Sequence, residues 1–173
     1  MSDWNMLTLV GEDRPGIVAA VTRALFDAGC HLGEASMIRL GGNFTIMLMV
    51  RDARPAIGLE EALAPVAADL GLRCHIDPVS GGPHRHLVPN IQVRVVGADR
   101  AGIVAEVTEA LAATGFNILE LESDVCGDPD QPVYIMHIQG CSTEPIEDLT
   151  EALAGLRQRG ISVEISPVET LIG

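Results

Sequence analysis

The sequence predicts two tandem α+β units, each an antiparallel sheet with two helices on one face. Two observations carry this prediction. The first is a repeat: residues 11–37, GEDRPGIVAAVTRALFDAGCHLGEASM, recur as residues 97–123, GADRAGIVAEVTEALAATGFNILELES, with about half of the aligned positions identical. Two copies of a unit this long mark a duplicated domain rather than a solenoid. The second is the order of apolar patterns, strand then helix then two strands then helix then strand, found once in each half.

Residues 6–10 are a short apolar strand, and Gly11-Glu12-Asp13-Arg14-Pro15-Gly16 turns the chain. Asp13 is the expected N-cap, with Pro15 tolerated in the first helical turn. Ile17, Val18, Val21, Leu25 and Ala28 fall at helical spacing, and Gly29 is a natural stop. Residues 31–40 form a second strand, Gly41-Gly42-Asn43 is hairpin chemistry, and residues 44–50 form a third. Leu59, Ala62, Leu63, Val66 and Leu70 mark a second helix that ends at Gly71. Residues 72–79 close the unit as a fourth strand.

The second half repeats the order. Residues 91–96 alternate as a strand, and Ile103, Val104, Val107, Ala110 and Leu111 mark a helix face. Residues 118–126 and 133–139 are hairpin strands, joined by a loop over 127–132. Ile146, Leu149, Leu153 and Leu156 mark one further helix, and residues 161–168 the last strand. A βαββαβ order is the ferredoxin-like split βαβ arrangement. The expected organisation is residues 1–80, a linker over 81–89 rich in Gly and Pro, and residues 90–173. Residues 44–50, FTIMLMV, are apolar on both faces. An open sheet should alternate, so the face away from the helices is expected to be covered in part, by the other unit or by another subunit.

Composition narrows the function. The net charge is −13, which repels phosphate backbones and argues against direct nucleic-acid binding. Residues 1–83 carry 10 acids against 6 arginines, and residues 84–173 carry 14 against 5. Lysine is absent. Cys30, Cys74, Cys126 and Cys141 form no CxxC pair and no zinc-ligand spacing. No basic segment precedes an apolar run at the start, and no apolar run reaches about 18 residues. A cytoplasmic chain with reduced thiols, no membrane span, no cofactor and no metal is expected.

The candidate for chemistry is the repeated Gly-x-Asp-Arg-(Pro/Ala)-Gly turn. It joins a strand to a helix N-terminus, where free N–H groups and the positive end of the helix dipole favour a small anion such as a carboxylate. Gly16 and Gly102 permit close approach to the backbone. The turn is neither a Walker A loop, since Gly-Lys-Ser/Thr is missing, nor a dinucleotide fingerprint. A capped helix after a tight turn is the purely structural alternative. Elsewhere the signals are weaker. His84 and His86 lack third and fourth ligands for a metal. Asp128 and Asp130 lack the rest of a calcium loop. His75 and His137 read as satisfied sheet residues, and Glu120, Glu122 and Asp124 as a charged strand edge. No nucleophile–base arrangement stands out, so no enzyme is expected.

Asp-Arg-Pro-Gly-Ile-Val, followed by an apolar helix, a glycine and a strand, resembles the ACT domain signature. The motif covers residues 13–32 and 99–118. ACT domains are small βαββαβ regulatory modules that bind amino acids. Two such modules without a catalytic domain resemble the glycine cleavage system transcriptional repressor family. The resemblance implies a ligand site where the first turn of the first helix meets the start of the second strand, often at an interface between domains. By position this gives Asp13, Arg14, Pro15, Gly16 and Ile17 with Cys30, His31 and Leu32. The second copy gives Asp99, Arg100, Ala101, Gly102 and Ile103 with Phe116, Asn117 and Ile118. Ala101 replaces proline in one copy and His31 replaces asparagine in the other, so the sites are unequal, and which binds is left open. The implied protein is a homo-oligomeric amino-acid sensor acting on a partner regulatory protein, with glycine and a DNA-binding transcription factor as the specific pair. A detached regulatory region of a metabolic enzyme and a pure dimerisation module are the alternatives.

Overall fold

Each half of the chain folds into a four-stranded antiparallel sheet with helices on one side. The computed structural model describes residues 4–51, 58–79, 87–98, 101–128 and 130–168. It divides into two units, Met1–Arg85 and His86–Gly173. The first contains β1 (Trp4–Glu12), α1 (Ile17–Asp27), β2 (His31–Leu40), β3 (Asn43–Arg51), α2 (Leu59–Leu70) and β4 (Arg73–Pro78), with sheet order β2-β3-β1-β4. The second contains β5 (Ile91–Ala98), α3 (Ile103–Ala113), β6 (Asn117–Asp128), β7 (Gln131–Cys141), α4 (Ile146–Ala152), α5 (Ala154–Gln158) and β8 (Ser162–Pro167), ordered β6-β7-β5-β8.

The cores follow the two periodicities. In the first unit Leu7, Leu9, Ile46, Leu48 and Val50 face the helices, which return Ile17, Val21, Leu25 and Leu63, all buried. In the second, Val93, Val95, Met136 and Ile138 meet Ile103, Val107, Leu111, Leu149, Leu153 and Leu156. Each fully buried aliphatic side chain contributes about 1.5–3 kcal/mol. Val18 and Val104, which the helical spacing puts on the core faces, are instead exposed.

Three further expectations change. Asp13 is not the N-cap of α1; Gly16 is, with φ 92° and no side-chain cap. The turn through Arg14 and Pro15 delays the helix to Ile17, and Asp13 instead pairs with Arg39, Oδ2 to Nε, at 2.6 Å. The loop expected over 127–132 is mostly ladder: Gly127 pairs with Pro132 and Asp128 with Gln131. Pro132 fits because it lies beyond Ala98–Val133, the last pair β7 makes with β5. The final helix is two pieces. Its turn tightens at Leu153, where the Leu156 N–H bonds the Leu153 carbonyl at 3.1 Å, an i→i+3 bond of 3₁₀ type. On the outer face of the first sheet Met47 is 44% exposed. The linker expected over 81–89 lies mainly outside the described residues; residues 87–89 form neither helix nor strand.

Candidate functional site

The turn between β1 and α1 forms one wall of an open groove of about 340 Å³, lined by Asp13, Arg14, Gly16, Ile17, Val18, Ala19, Met37 and Phe44. Its geometry starts from the backbone. The Asp13 N–H donates to the Gly42 carbonyl at 3.1 Å, tying the end of β1 to the β2–β3 hairpin. Gly16 then takes φ 92°, a left-handed conformation that glycine adopts without cost. A methyl group there would meet no atom within 4 Å, so conformation rather than crowding calls for glycine. The first intrahelical bond runs from the Ala20 N–H to the Gly16 carbonyl at 2.9 Å. The N–H groups of Ile17, Val18 and Ala19 precede it and have no acceptor within the helix.

The two charged residues of the turn have protein partners. Asp13 holds Arg39 on β2. The Arg14 Nη2 donates to the Leu70 carbonyl at 2.7 Å, at the last residue of α2. A cation there complements the negative end of the helix dipole. What the groove offers a ligand is therefore the helix N-terminus and an apolar wall, with the guanidinium of Arg14 already engaged. α1 has no acidic residue in its first turn, so its positive end is uncompensated by its own sequence.

His31, Leu32 and Cys30 lie elsewhere. His31 pairs with Arg51 and Leu32 with Val50, while Gly11, at the turn, pairs with Phe44. From Phe44 to Arg51 is seven steps along β3, about 24 Å. A strand–helix–strand connection brings the chain back to the starting edge, so β2 runs parallel to β1 and its beginning lies at the far end of the sheet. One unit therefore does not bring the two sequence segments together. Instead, the later part of β2 supplies Met37, with Phe44 of β3. The sequence reading missed Val18, Ala19, Met37 and Phe44; the parallel relation of β1 and β2 was the signal that could have found Met37. The beginning of β2 has its own feature. A bulge falls between Leu32 and Ala35, and the Trp4 ring packs over Gly33, where a methyl carbon would stand 3.0 Å from it. The Arg51 guanidinium lies 5.3 Å from the Trp4 ring centroid.

In the second copy Gly102 caps α3 with φ 90°, and Ile103 is buried. Asp99 and Arg100 lie outside the described residues. Ala101 and Gly102 are exposed, and Phe116 is buried. Asn117 pairs with Cys141 and Ile118 with Gly140, at the opposite end of the sheet from the Ala98–Val133 pair beside the turn. The first turn of α3 carries Glu106, bonded to Arg159 at 3.1 Å. The two copies thus differ at the helix end itself.

Other candidates resolve simply. Among the described residues no group of three His, Cys, Asp or Glu side chains could hold a metal; His84 and His86 lie outside them. Burial, with the Glu60 carboxylate adding to it, raises the Cys74 thiol pKa above its ordinary value. His75 meets Asp77 at 3.2 Å. No helix among the described residues is long and apolar enough to cross a membrane.

Comparison with known proteins bears on the fold. A family model described as the ACT domain matches residues 6–77, the span from β1 into β4. The chain belongs to the ACT-domain family. The second ACT unit is carried by the internal repeat and by the equivalent sheet order. A UPF0237 protein of Methanococcus maripaludis is 30% identical over 76 residues, 44% of this chain and 80% of that one. The glycine cleavage system transcriptional repressor of Escherichia coli K12 is 28% identical over 141 residues, 81% of this chain and 74% of the repressor. The fold is also similar to that in a crystal structure of an unknown protein from Galdieria sulphuraria, with a TM-score of 0.76, 24% identity, and coverage of 96% and 98%.

Proposed function

We propose that this tandem ACT protein is a non-catalytic regulator that binds a small amino acid in the groove at the N-terminus of α1 and acts on a partner protein. The single observation that carries this reading is the groove itself. It joins three N–H groups without helical acceptors to an apolar wall of Met37 and Phe44. A carboxylate would sit at the helix end, and a small side chain would rest on the wall. The resemblance to the Escherichia coli repressor over 81% of this chain makes glycine the first small amino acid to test and a DNA-binding transcription factor the first partner to test. A net charge of −13 suits action through a protein rather than directly on DNA. Regulation requires that the amino acid bind one state of the sensor or its complex more tightly than another.

The test is a thermal-shift screen of the chain against the twenty amino acids. A ligand at about 100 times its Kd adds roughly 2.7 kcal/mol, a rise of several degrees for a unit of this size. The reading expects glycine or another small amino acid to give that rise. A flat response to all twenty would overturn it.

A further inference from the structure

The outer face of the second sheet, the face away from its helices, carries a row of polar side chains able to ionise, one from each strand. The ladder sets His137 of β7 opposite Glu122 of β6, Arg94 of β5 opposite His137, and Glu164 of β8 opposite Arg94. Neighbouring strands lie about 4.8 Å apart, so consecutive members of the row are within side-chain reach of one small molecule. Arg94, His137 and Glu164 line a depression of about 180 Å³ together with Gln92, Gln139 and Ser166. Gln92 donates to the Ser166 hydroxyl at 3.0 Å, which fixes one rim. The Arg94 guanidinium and the His137 imidazole make no hydrogen bond or ion pair with any described residue. A guanidinium presents five donors in a fixed fork that matches a carboxylate. Here it stands free between an imidazole and a carboxylate with which it forms no ion pair.

The fold does not require this row. The equivalent positions of the first sheet are Ser36, Met47, Thr8 and His75, joined by the same ladder pairs. The duplicated unit thus reaches the same architecture with one titratable residue where the second has four. We infer that the depression on the outer face of the second sheet binds a small zwitterion, its carboxylate held by Arg94 and His137 and its ammonium by Glu164. Two features favour a zwitterion over a simple anion. Glu122 and Glu164 flank the two donors and repel a phosphate or sulfate, and the acceptor lies on the strand next to the donor, matching a carboxylate and an ammonium a few ångströms apart. The site lies within the second unit and does not depend on the groove at α1.

The test uses the full chain labelled with ¹⁵N and titrated with glycine, alanine, serine, glutamate and aspartate, with acetate and methylamine as half-ligands. At least one amino acid should shift the Gln92 and Gln139 side-chain amide signals and the Arg94 Nε–H signal saturably, while neither half-ligand does so in the same concentration range. Arg94→Gln and Glu164→Gln should each weaken that binding tenfold or more and leave the rest of the spectrum folded. Signals from Val18 and Ala19 report the α1 groove separately, so failure at one site is read independently of the other. Absence of any saturable shift at Gln92, Gln139 and Arg94 would overturn the inference. So would equal shifts with acetate alone, or shifts that survive Arg94→Gln.

Discussion

The Arg14 guanidinium donates to the Leu70 carbonyl at 2.7 Å, joining the turn before α1 to the end of α2. In the first copy of the motif the arginine thus serves the fold. Loss of this bond removes a charged donor from a helix C-terminus, an effect of about 0.3–1 kcal/mol at an exposed site. Arg14→Met should lower the urea midpoint by a corresponding small amount and leave ligand affinity within twofold. A tenfold loss of affinity at nearly unchanged stability would instead place the guanidinium on the ligand.

Among the described glycines, Gly140 has the least room for a side chain. A methyl group there would overlap the Asn117 carbonyl oxygen across the ladder and press on the Phe116 ring. The backbone oxygen has no room to withdraw while β6 stays paired to β7. Gly140→Ala should cost about 3 kcal/mol or more, beyond the usual range for added core methylenes, and Phe116→Leu should restore only part of it. Urea unfolding of the single and double variants measures both.

The Cys74 thiol is held above its ordinary pKa, first by burial and second by the Glu60 carboxylate. The folded state therefore disfavours the thiolate. The sign follows: this group's contribution to stability is present below the unfolded thiol pKa and is lost as pH rises through the higher folded value. Alkylation of Cys74 near the free thiol pKa of about 8.5 should run slower in the folded chain than in urea. Glu60→Gln should recover a minor share of the difference. Equal rates in the two states would contradict the assignment.

Much of the fold was legible because period and punctuation agreed. Ile17, Val21 and Leu25 fall on one helix face, Gly71 ends α2 in a left-handed conformation, and β2 runs from His31 to Leu40 as the pattern predicts. The site was less legible, because its parts are set by topology. Asp13 looks like a cap in one dimension, yet its partner is Arg39, at the far end of a crossover. Met37 carries no local sign of lining a groove, since only the parallel course of β1 and β2 puts it there. His31 and Leu32 follow the motif in sequence but stand at the other end of the sheet. Leu153 kept its helical spacing while the backbone around it tightened, which a side-chain pattern does not register.

Trp4, the single tryptophan, separates the two halves of the sequence motif. Its ring covers Gly33 beside the start of β2 and lies about 24 Å from the α1 turn. Amino-acid binding in the groove should leave its emission maximum unchanged at saturation. A clear shift in that maximum on binding would locate the ligand at His31 and Leu32 instead.

The central claim is that α1, rather than α3, presents the binding end. Ala19 and Ala105 are the third residues of their helices and both are exposed. A glutamate at that position favours the helix but puts a negative charge where a ligand carboxylate would bind. Isothermal titration of Ala19→Glu and Ala105→Glu with the amino acid identified by thermal shift is the most direct measurement. The account predicts that Ala19→Glu loses at least tenfold in affinity without losing stability, while Ala105→Glu keeps the affinity of the unsubstituted chain. With both variants titrated in an Arg94→Gln background, so that the outer face of the second sheet does not contribute, retained affinity in Ala19→Glu, or loss confined to Ala105→Glu, would contradict it.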